Sequence, residues 1–363
     1  MQDKSISLFF KFIRICLGES TDDFPVLCPE QWHELYTLSQ KHAIIGVLFK
    51  AIEALPKDKR PPRNLFFKWL ATTEQIQNLN LHLNQTATYV EEFFKTNDFE
   101  CCVLKGQGIA KLYPHPELRT PGDIDIWVNG DRRDIIFFIS SHTKSTHIVY
   151  HHIDGLKIEG IDIEAHFTPS YMSNPFANKR LQKWIDKEAS NQFDNYIALS
   201  NNYKIHTPTL AFNRVFILHH IYRHFFYEGI GLRQMMDFYY VLKQGFSEEE
   251  QKEAISLYKK FNLLEFAGAT VYVLQKIFGL EKQFFITSPD EKYGEVLLSE
   301  IMLSGNFGQA IHTTKTKENK IQRGWRIIKR SWNFFKYEPT EIIWIPYFKI
   351  MNNLFYVRTY KNK

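Results

Sequence analysis

The alternating run DIDIWV at residues 123–128 constrains this chain more than any other segment. Successive side chains of a β-strand point to opposite faces, so the alternation predicts a strand with Ile124 and Ile126 in the core. Asp123 and Asp125 then share the other face. Aspartate is depleted in strands, and two neighbouring carboxylates repel each other, whereas a divalent cation with oxygen ligands removes the repulsion. The pattern therefore predicts a metal-binding strand; two solvent-facing acids at a strand edge are the plain alternative.

A second alternating segment, GIDIEAHF at residues 160–167, carries Asp162, Glu164 and His166 on one face. A strand of this kind beside the first one supplies a third carboxylate to the same metal, from Glu164 or from Asp162. The alternative is the polar outer face of an antiparallel hairpin. His166 is expected to support the site or the fold, because Mg²⁺ prefers oxygen ligands.

The dipeptide Lys105-Gly106 lies where a predicted strand, residues 100–104, meets a short predicted helix, residues 106–113. Glycine permits a close approach of the backbone, and the first N–H groups of a helix attract phosphate together with a lysine charge. Such junctions are common in proteins. The Lys105-Gly106 junction is of interest because it lies about 18 residues ahead of the paired aspartates.

Helical periodicity flanks this central segment on both sides. Apolar residues recur at helical spacing over residues 31–52, 64–95, 263–278, 290–303 and 321–335. The predicted fold class is therefore α+β, a small mixed sheet flanked by N-terminal and C-terminal helical regions. The expected boundaries are residues 1–98, 99–206 and 207–363.

Three local patterns predict where elements begin or turn. Thr207-Pro208 predicts the start of a helix, and Ser247 with Glu250 predicts a capping box. Asp154-Gly155 predicts a tight hairpin turn between two strands.

The central motifs also carry a family resemblance. In chain order they are Val103-Leu104-Lys105-Gly106, Tyr113-Pro114, Arg119 and the run GDIDIWV at residues 122–128. Together they resemble the pattern of an uncharacterised nucleotidyltransferase family within the DNA polymerase beta superfamily. Looser matches follow at Glu164-Ala165-His166-Phe167, His220, His224, Leu232-Arg233 and Asp237. The resemblance covers about residues 30–240.

The resemblance implies a nucleotidyltransferase core and a reaction that moves NMP from an NTP to an acceptor hydroxyl with release of pyrophosphate. Asp123, Asp125 and Glu164 match the family's catalytic carboxylates, which hold two Mg²⁺ ions, with Mn²⁺ as a substitute. Small molecules, sugars and proteins all offer such a hydroxyl, and the fold does not choose among them. The alternative is an inactive relative that serves as a nucleotide-binding or protein-interaction module.

The resemblance also implies that Gly106 and the following backbone amides, beginning at Gln107, cradle the triphosphate. The wider superfamily usually has Gly-Ser at this turn, and the serine contacts phosphate. This chain reads Lys105-Gly106-Gln107 instead. Lys105 or Arg119 is therefore expected to supply the phosphate contact, with a loop-surface arginine as the alternative for Arg119.

Four polar residues of the predicted C-terminal helices are expected to line an acceptor pocket between those helices and the sheet: His220, His224, Arg233 and Asp237. Something must cover the open face of the sheet to orient an acceptor. The alternative is that the four residues satisfy one another inside the helical bundle. The two histidines have zinc-ligand spacing, but no third ligand accompanies them in the sequence.

The composition indicates which binding partners and which cellular compartment to expect for this protein. The formal net charge of +5 suits a nucleotide substrate but is too small to favour nucleic acid. The four cysteines form no CxxC pair, which indicates reduced structural thiols. Without a signal-peptide pattern or a long apolar run, a cytoplasmic location is expected.

Residues 315–336 are rich in lysine and arginine and carry an apolar stripe. The stripe consists of Ile321, Trp325, Ile328, Trp332 and Phe335. Such a helix either docks its stripe on the bundle with a solvated basic face or lies on an anionic membrane surface. Docking is the expected arrangement.

Overall fold

The computed structural model describes residues 2–22, 24–199, 203–306 and 320–360. The α-helices in these ranges are α1 (Gln2–Cys16), α2 (Pro29–Lys41), α3 (Ile45–Ala54), α4 (Arg63–Lys95), α5 (Gly106–Ala110), α6 (Arg132–Ser141), α7 (Pro175–Asp194), α8 (Leu210–Tyr227), α9 (Leu232–Lys243), α10 (Glu248–Lys260), α11 (Leu264–Phe278), α12 (Glu291–Ser304), α13 (Lys320–Trp332), α14 (Pro339–Ile342) and α15 (Trp344–Tyr360). The strands are β1 (Cys101–Leu104), β2 (Ile124–Val128), β3 (His147–Ile148), β4 (His152–Ile158), β5 (Ile161–His166), β6 (Tyr196–Ala198) and β7 (Lys204–His206). The predicted α+β class is confirmed.

The main sheet is mixed and has the strand order β1-β2-β5-β4-β3. Strand β2 pairs antiparallel with β1 and parallel with β5, while β4 pairs antiparallel with β5. Strand β2, which carries Asp125 and directly follows Asp123, is therefore internal, with every residue from Ile124 to Val128 buried. Strands β6 and β7 form a separate two-stranded sheet.

The two faces of β2 belong to different hydrophobic cores. Ile124 and Ile126 pack with residues of α4 and α6, including Phe94 and Ile135. The opposite face carries Trp127, whose ring stacks on Phe212 of α8 at a centroid distance of 5.9 Å. Because side chains alternate along a strand, Asp125 shares the face of Trp127 and points toward the C-terminal helices.

The N-terminal and C-terminal helices pack into one large core. It joins, for example, Phe12 of α1, Leu48 of α3, Leu218 of α8 and Val271 of α11. The helices on either side of the sheet in sequence are therefore in contact in space. The domain boundaries at residues 98 and 206 stay a prediction.

The hairpin turn predicted at Asp154-Gly155 was wrong. Strand β4 runs through both residues, with a register shift between Ile153 and Leu156, and the turn falls at Glu159-Gly160. Gly155 has φ +115° and lies so close to the Ser145 carbonyl that a Cβ would collide with it. The glycine therefore serves a bulge rather than a turn, since a bulge also requires positive φ and close backbone approach.

The helix start predicted at Thr207-Pro208 was also wrong. Helix α8 begins at Leu210, and the Thr209 hydroxyl accepts the N–H of Phe212 at 3.3 Å. The Thr207 hydroxyl instead donates to the Val103 carbonyl of β1 at 3.0 Å. Elsewhere, the capping box of Ser247 and Glu250 is confirmed at the start of α10.

The basic helix near the C-terminus docks part of the predicted stripe: Ile328 and Phe335 pack against the large core, but the two tryptophans do not. Residues 315–319 lie outside the described residues, and α13 begins at Lys320. Ile327 and Phe334 are buried, whereas Trp325 and Trp332 are 68% and 59% exposed. Across the described part of the chain, no helix combines the length and hydrophobicity needed to cross a membrane.

Candidate active site

Three carboxylates meet where β2 and β5 lie side by side. In the parallel register Asp125 is directly opposite Glu164, and Asp123 immediately precedes β2. Ligand atoms of Asp125, Glu164 and His166 all lie within 4.8 Å of one another. Asp162, the other candidate for the third acid, is exposed and pairs with Lys157 at 2.7 Å. The strand pairing expected from the sequence is thus present, and its register favours Glu164.

Lys105 and His166 both contact Asp125. Lys105 Nζ and His166 Nε2 each lie 2.8 Å from Asp125 Oδ1. Burial by itself disfavours the charged carboxylate, but Lys105 and then His166 outweigh it and hold the pKa of Asp125 well below its usual range. Asp125 is therefore an anion at any ordinary pH.

Asp123 has the opposite electrostatic environment. The residue as a whole is exposed, but its carboxylate faces the cleft. Removal from water, followed by the negative charges of Asp125 and Glu164, raises the pKa of Asp123 to about 7. Lys105 opposes this shift without cancelling it. Lys105 alone therefore leaves negative charge unbalanced at the carboxylates, whose oxygens are the donor type that Mg²⁺ prefers.

The junction between β1 and α5 has an unusual backbone. Lys105 has φ +54°, a conformation that non-glycine residues rarely adopt, and Gly106 has φ +39°. A Cβ at Gly106 would meet no described atom within 4 Å, so the space beside it is open. Helix α5 has only five residues, which makes its dipole smaller than the sequence suggested.

The side chain of Gln107 is turned away from this junction. It is buried and donates to Asn84 and to the Asn80 carbonyl of α4. Its backbone N–H is therefore the group through which Gln107 could serve a phosphate.

Arg119 is buried in the wall of the cleft. Its guanidinium makes paired hydrogen bonds to Asp237, and the Tyr113 hydroxyl donates to the same carboxylate at 2.7 Å. Arg233 also lies on α9, four residues before Asp237. Arg233 instead donates to the carbonyls of Thr120 and Pro121, at 3.1 and 3.3 Å.

A cleft opens between the sheet and helices α8 and α9. Asp123 and Asp125 line one side, and His220, Arg233 and Asp237 line the other. His224 is directed elsewhere, since its Nδ1 lies 2.9 Å from Glu228 Oε2.

Burial lowers the pKa of two side chains on the helical wall of the cleft, His220 and Arg233. Desolvation, followed by the nearby charges of Lys105 and His224, holds the pKa of His220 well below its ordinary value. Desolvation and the neighbouring Arg119 lower the pKa of Arg233 to about 10. At neutral pH the His220 ring is therefore neutral and Arg233 remains a cation.

Three residues beside the carboxylates were not predicted from the sequence. His151, His152 and Asp154 lie within the site region, and His152 Nδ1 is 3.7 Å from Glu164 Oε2. A signal was present, because strand alternation sets His152 and Asp154 on one face. The erroneous turn at Asp154-Gly155 obscured it.

An α+β protein with acids on paired central strands, facing a cation-lined cleft, has the architecture of a nucleotidyltransferase core. Residues 29–279 match the family described as "Uncharacterised nucleotidyltransferase", and the chain belongs to that family. Among solved structures it is similar to an antigenic nucleotidyltransferase-like protein from Paracoccidioides brasiliensis, with 12% identity and a TM-score of 0.34. That match covers 59% of this chain and 96% of the other. The comparison with curated proteins gives no match.

Proposed function

We propose that this protein is a divalent-metal-dependent enzyme that transfers NMP from an NTP to an acceptor hydroxyl. One observation carries the proposal: Asp125 and Glu164 are direct neighbours on parallel strands, with Asp123 beside them at the mouth of a cleft. Family membership supports a nucleotide substrate. Metal binding by the three acids, as in the DNA polymerase beta superfamily, is part of the proposal.

The donor set fits Mg²⁺. Asp123, Asp125 and Glu164 supply carboxylate oxygens, and the raised pKa of Asp123, caused by burial and then by its acidic neighbours, reflects unbalanced negative charge. When bound, Mg²⁺ would neutralise phosphate oxygens and make the acceptor hydroxyl more acidic.

The positively charged residues of the cleft are proposed to position the substrates. Lys105 is proposed to contact the triphosphate and Arg233 to align the acceptor, while the open space beside Gly106 lets a phosphate approach the backbone. Arg119 contributes charge from within its pair with Asp237. These groups orient the α-phosphorus toward the acceptor.

The transfer forms one bond to phosphorus and breaks another. The acceptor oxygen bonds to the α-phosphorus, the bond from the α-phosphorus to the bridging oxygen of the β-phosphate breaks, and pyrophosphate leaves while the hydroxyl proton is lost. The neutral ring of His220 is suited to accept a hydrogen bond from the acceptor hydroxyl, on the opposite wall of the cleft from Asp125. The acceptor class is a hydroxyl of a small molecule, a sugar or a protein.

The test is pyrophosphate release from each of the four NTPs with Mg²⁺ or Mn²⁺, across a panel of hydroxyl acceptors. Mass spectrometry of the protein checks for self-nucleotidylation. Asp125→Asn should abolish release, and Asp162→Asn is the matched control, because that acid is exposed and bonded to Lys157. Thermal stabilisation by Mg²⁺-NTP without release would favour the inactive, nucleotide-binding alternative. Neither stabilisation nor release would overturn both.

A further inference from the structure

We propose that His151, His152 and His166 form a binding site for a first-row transition-metal ion such as Zn²⁺, beside the Glu164, Asp123 and Asp125 carboxylates. The chain would then hold two kinds of metal site, one of oxygen ligands and one rich in imidazole. The inference does not depend on nucleotidyl transfer, because the site can be measured without nucleotide.

The spacing of the donor atoms fits one ion. His151 Nε2 lies 3.2 Å from His152 Nδ1, which lies 3.7 Å from Glu164 Oε2. Glu164 Oε2 in turn lies 3.6 Å from His166 Nε2. Tetrahedral Zn²⁺ with bonds of about 2.0–2.1 Å has ligand atoms about 3.3–3.4 Å apart. One ligand atom from each of the three histidines lies within 4.8 Å of the others, so side-chain movements would bring them around one ion, with Glu164 beside it.

Asp154 favours the tautomer of His152 that leaves a lone pair for a metal ion. Asp154 Oδ1 lies 2.9 Å from His152 Nε2, and a carboxylate there favours the tautomer with its proton on Nε2. Nδ1 then carries a lone pair on the side of Glu164 and His151. An acid behind a ligating histidine is the usual outer partner of a metal-bound imidazole.

The histidine cluster also leaves polar atoms without a protein partner. His151 and His166 are 4% and 2% exposed, and the Nδ1 atom of each makes no hydrogen bond among the described residues. The ring centroids of the three histidines lie 4.4 to 5.3 Å apart. Burying three imidazoles together costs free energy unless their nitrogens are bonded, and a metal ion would bond one nitrogen of each ring.

The choice of ion follows from the donor set. Imidazole suits Zn²⁺ and its transition-metal neighbours, whereas Mg²⁺ takes oxygen ligands. Glu164 lies between the two sets, within reach of His152 and His166 on one side and of Asp125 on the other. An ion on the imidazoles would therefore orient Glu164 toward the neighbouring aspartates.

The test uses tag-free, full-length protein stripped with a chelator and titrated with Co²⁺, a coloured substitute for Zn²⁺. We expect one equivalent of Co²⁺ with the visible absorption of nitrogen-rich tetrahedral coordination, displaced by Zn²⁺ but not by excess Mg²⁺. His151→Gln and His152→Gln should each lower Co²⁺ affinity at least tenfold, and Asp154→Asn by about 10- to 100-fold. His33→Gln is the control, because that exposed histidine bonds only its own helix.

Three results would overturn the inference: wild type binding no stoichiometric Co²⁺ or Zn²⁺, displacement of Co²⁺ by Mg²⁺, or unchanged affinity in folded His151→Gln and His152→Gln. The wild-type measurements decide the matter even where a variant does not fold. Pyrophosphate release without a Co²⁺ site would overturn only this inference. A Co²⁺ site without release would overturn only the proposed function.

Discussion

Arg119 and Asp237 are joined by two parallel hydrogen bonds, Nε to Oδ1 at 2.7 Å and Nη2 to Oδ2 at 2.8 Å. Both side chains are buried, so the pair is a bidentate contact shielded from water. It joins the loop that precedes β2 to helix α9. The pair therefore connects the two sides of the cleft.

Asp237→Ala should destabilise the protein by about 3–5 kcal/mol, because it leaves the buried Arg119 cation without its counter-charge. Chemical denaturation measures the free energy of unfolding. The double variant Arg119→Met/Asp237→Leu should recover most of the loss, since neither charge remains. A loss below about 1 kcal/mol would mean that the pair behaves like an exposed ion pair.

Asp123→Asn and Asp125→Asn should have opposite effects on metal-free stability at pH 8. Asp123→Asn removes a charge repelled by Asp125 and Glu164, so its melting temperature should rise. Asp125→Asn weakens the contacts of Lys105 and His166, at a cost of about 1–3 kcal/mol. Both variants should lose transfer activity. Equal shifts in melting temperature would contradict this electrostatic description.

Metal affinity should rise with pH and level off above about pH 7. The pKa of Asp123 is raised from 3.8 to about 7 by burial and by its acidic neighbours, so below that pH a metal must displace a proton. The same shift means that folded protein binds more protons than unfolded protein between those values, so the Asp123 contribution to stability falls as pH rises.

Calorimetry of Mn²⁺ binding at pH 6 in two buffers of different ionisation enthalpy measures this proton release. Asp123→Asn should bind Mn²⁺ weakly and release no proton. Wild-type binding without proton release would show that Asp123 is already ionised at that pH.

Arg233→Ala should leave Mg²⁺-NTP binding within a few-fold of wild type and lower transfer to the acceptor at least tenfold, if Arg233 aligns the reacting groups. Arg214→Ala is the matched control. Arg214 is also a buried arginine of the C-terminal helices, bonded to a carbonyl and to Glu250, but it lies outside the cleft. Equal loss of binding and transfer in Arg233→Ala, with a lower melting temperature, would assign Arg233 a structural role.

Gly106→Ala and Gly108→Ala separate phosphate approach from packing. At Gly106 the methyl group meets open space at φ +39°, so the cost in stability is about 1–2 kcal/mol while NTP binding weakens. At Gly108 the methyl group would collide with the Thr207 hydroxyl, costing about 1–3 kcal/mol of stability. Folded Gly108→Ala should still bind NTP in a thermal-shift titration. Normal NTP binding by Gly106→Ala would place the triphosphate elsewhere.

Local patterns were sufficient wherever the physical cause is local. Alternation along 123–128 assigns Ile124 and Asp125 to opposite faces regardless of the neighbouring strands. The capping box of Ser247 and Glu250 was likewise predictable, because its hydrogen bonds close within four residues. The α+β class followed from the same short-range periodicities.

At two positions the local sequence fits more than one structure, and a backbone carbonyl from another segment decides between them. Gly155 suits a hairpin turn or a bulge equally well by residue type, and the nearby Ser145 carbonyl selects the bulge. Thr207 and Thr209 both suit a helix cap, but the Val103 carbonyl of β1 takes the Thr207 hydroxyl. Neither neighbour is visible from the local sequence.

The sequence by itself determined that two aspartates share one face of a strand and that Glu164 or Asp162 faces the same way on another. Tertiary structure decided which acid joins the pair, because strand register sets Glu164 opposite Asp125. It also decided that Asp237 bonds Arg119 rather than Arg233, and that three histidines gather beside Glu164. Partners in a folded site are chosen by distance in space. That distance depends on strand order and helix packing, which no local residue pattern contains.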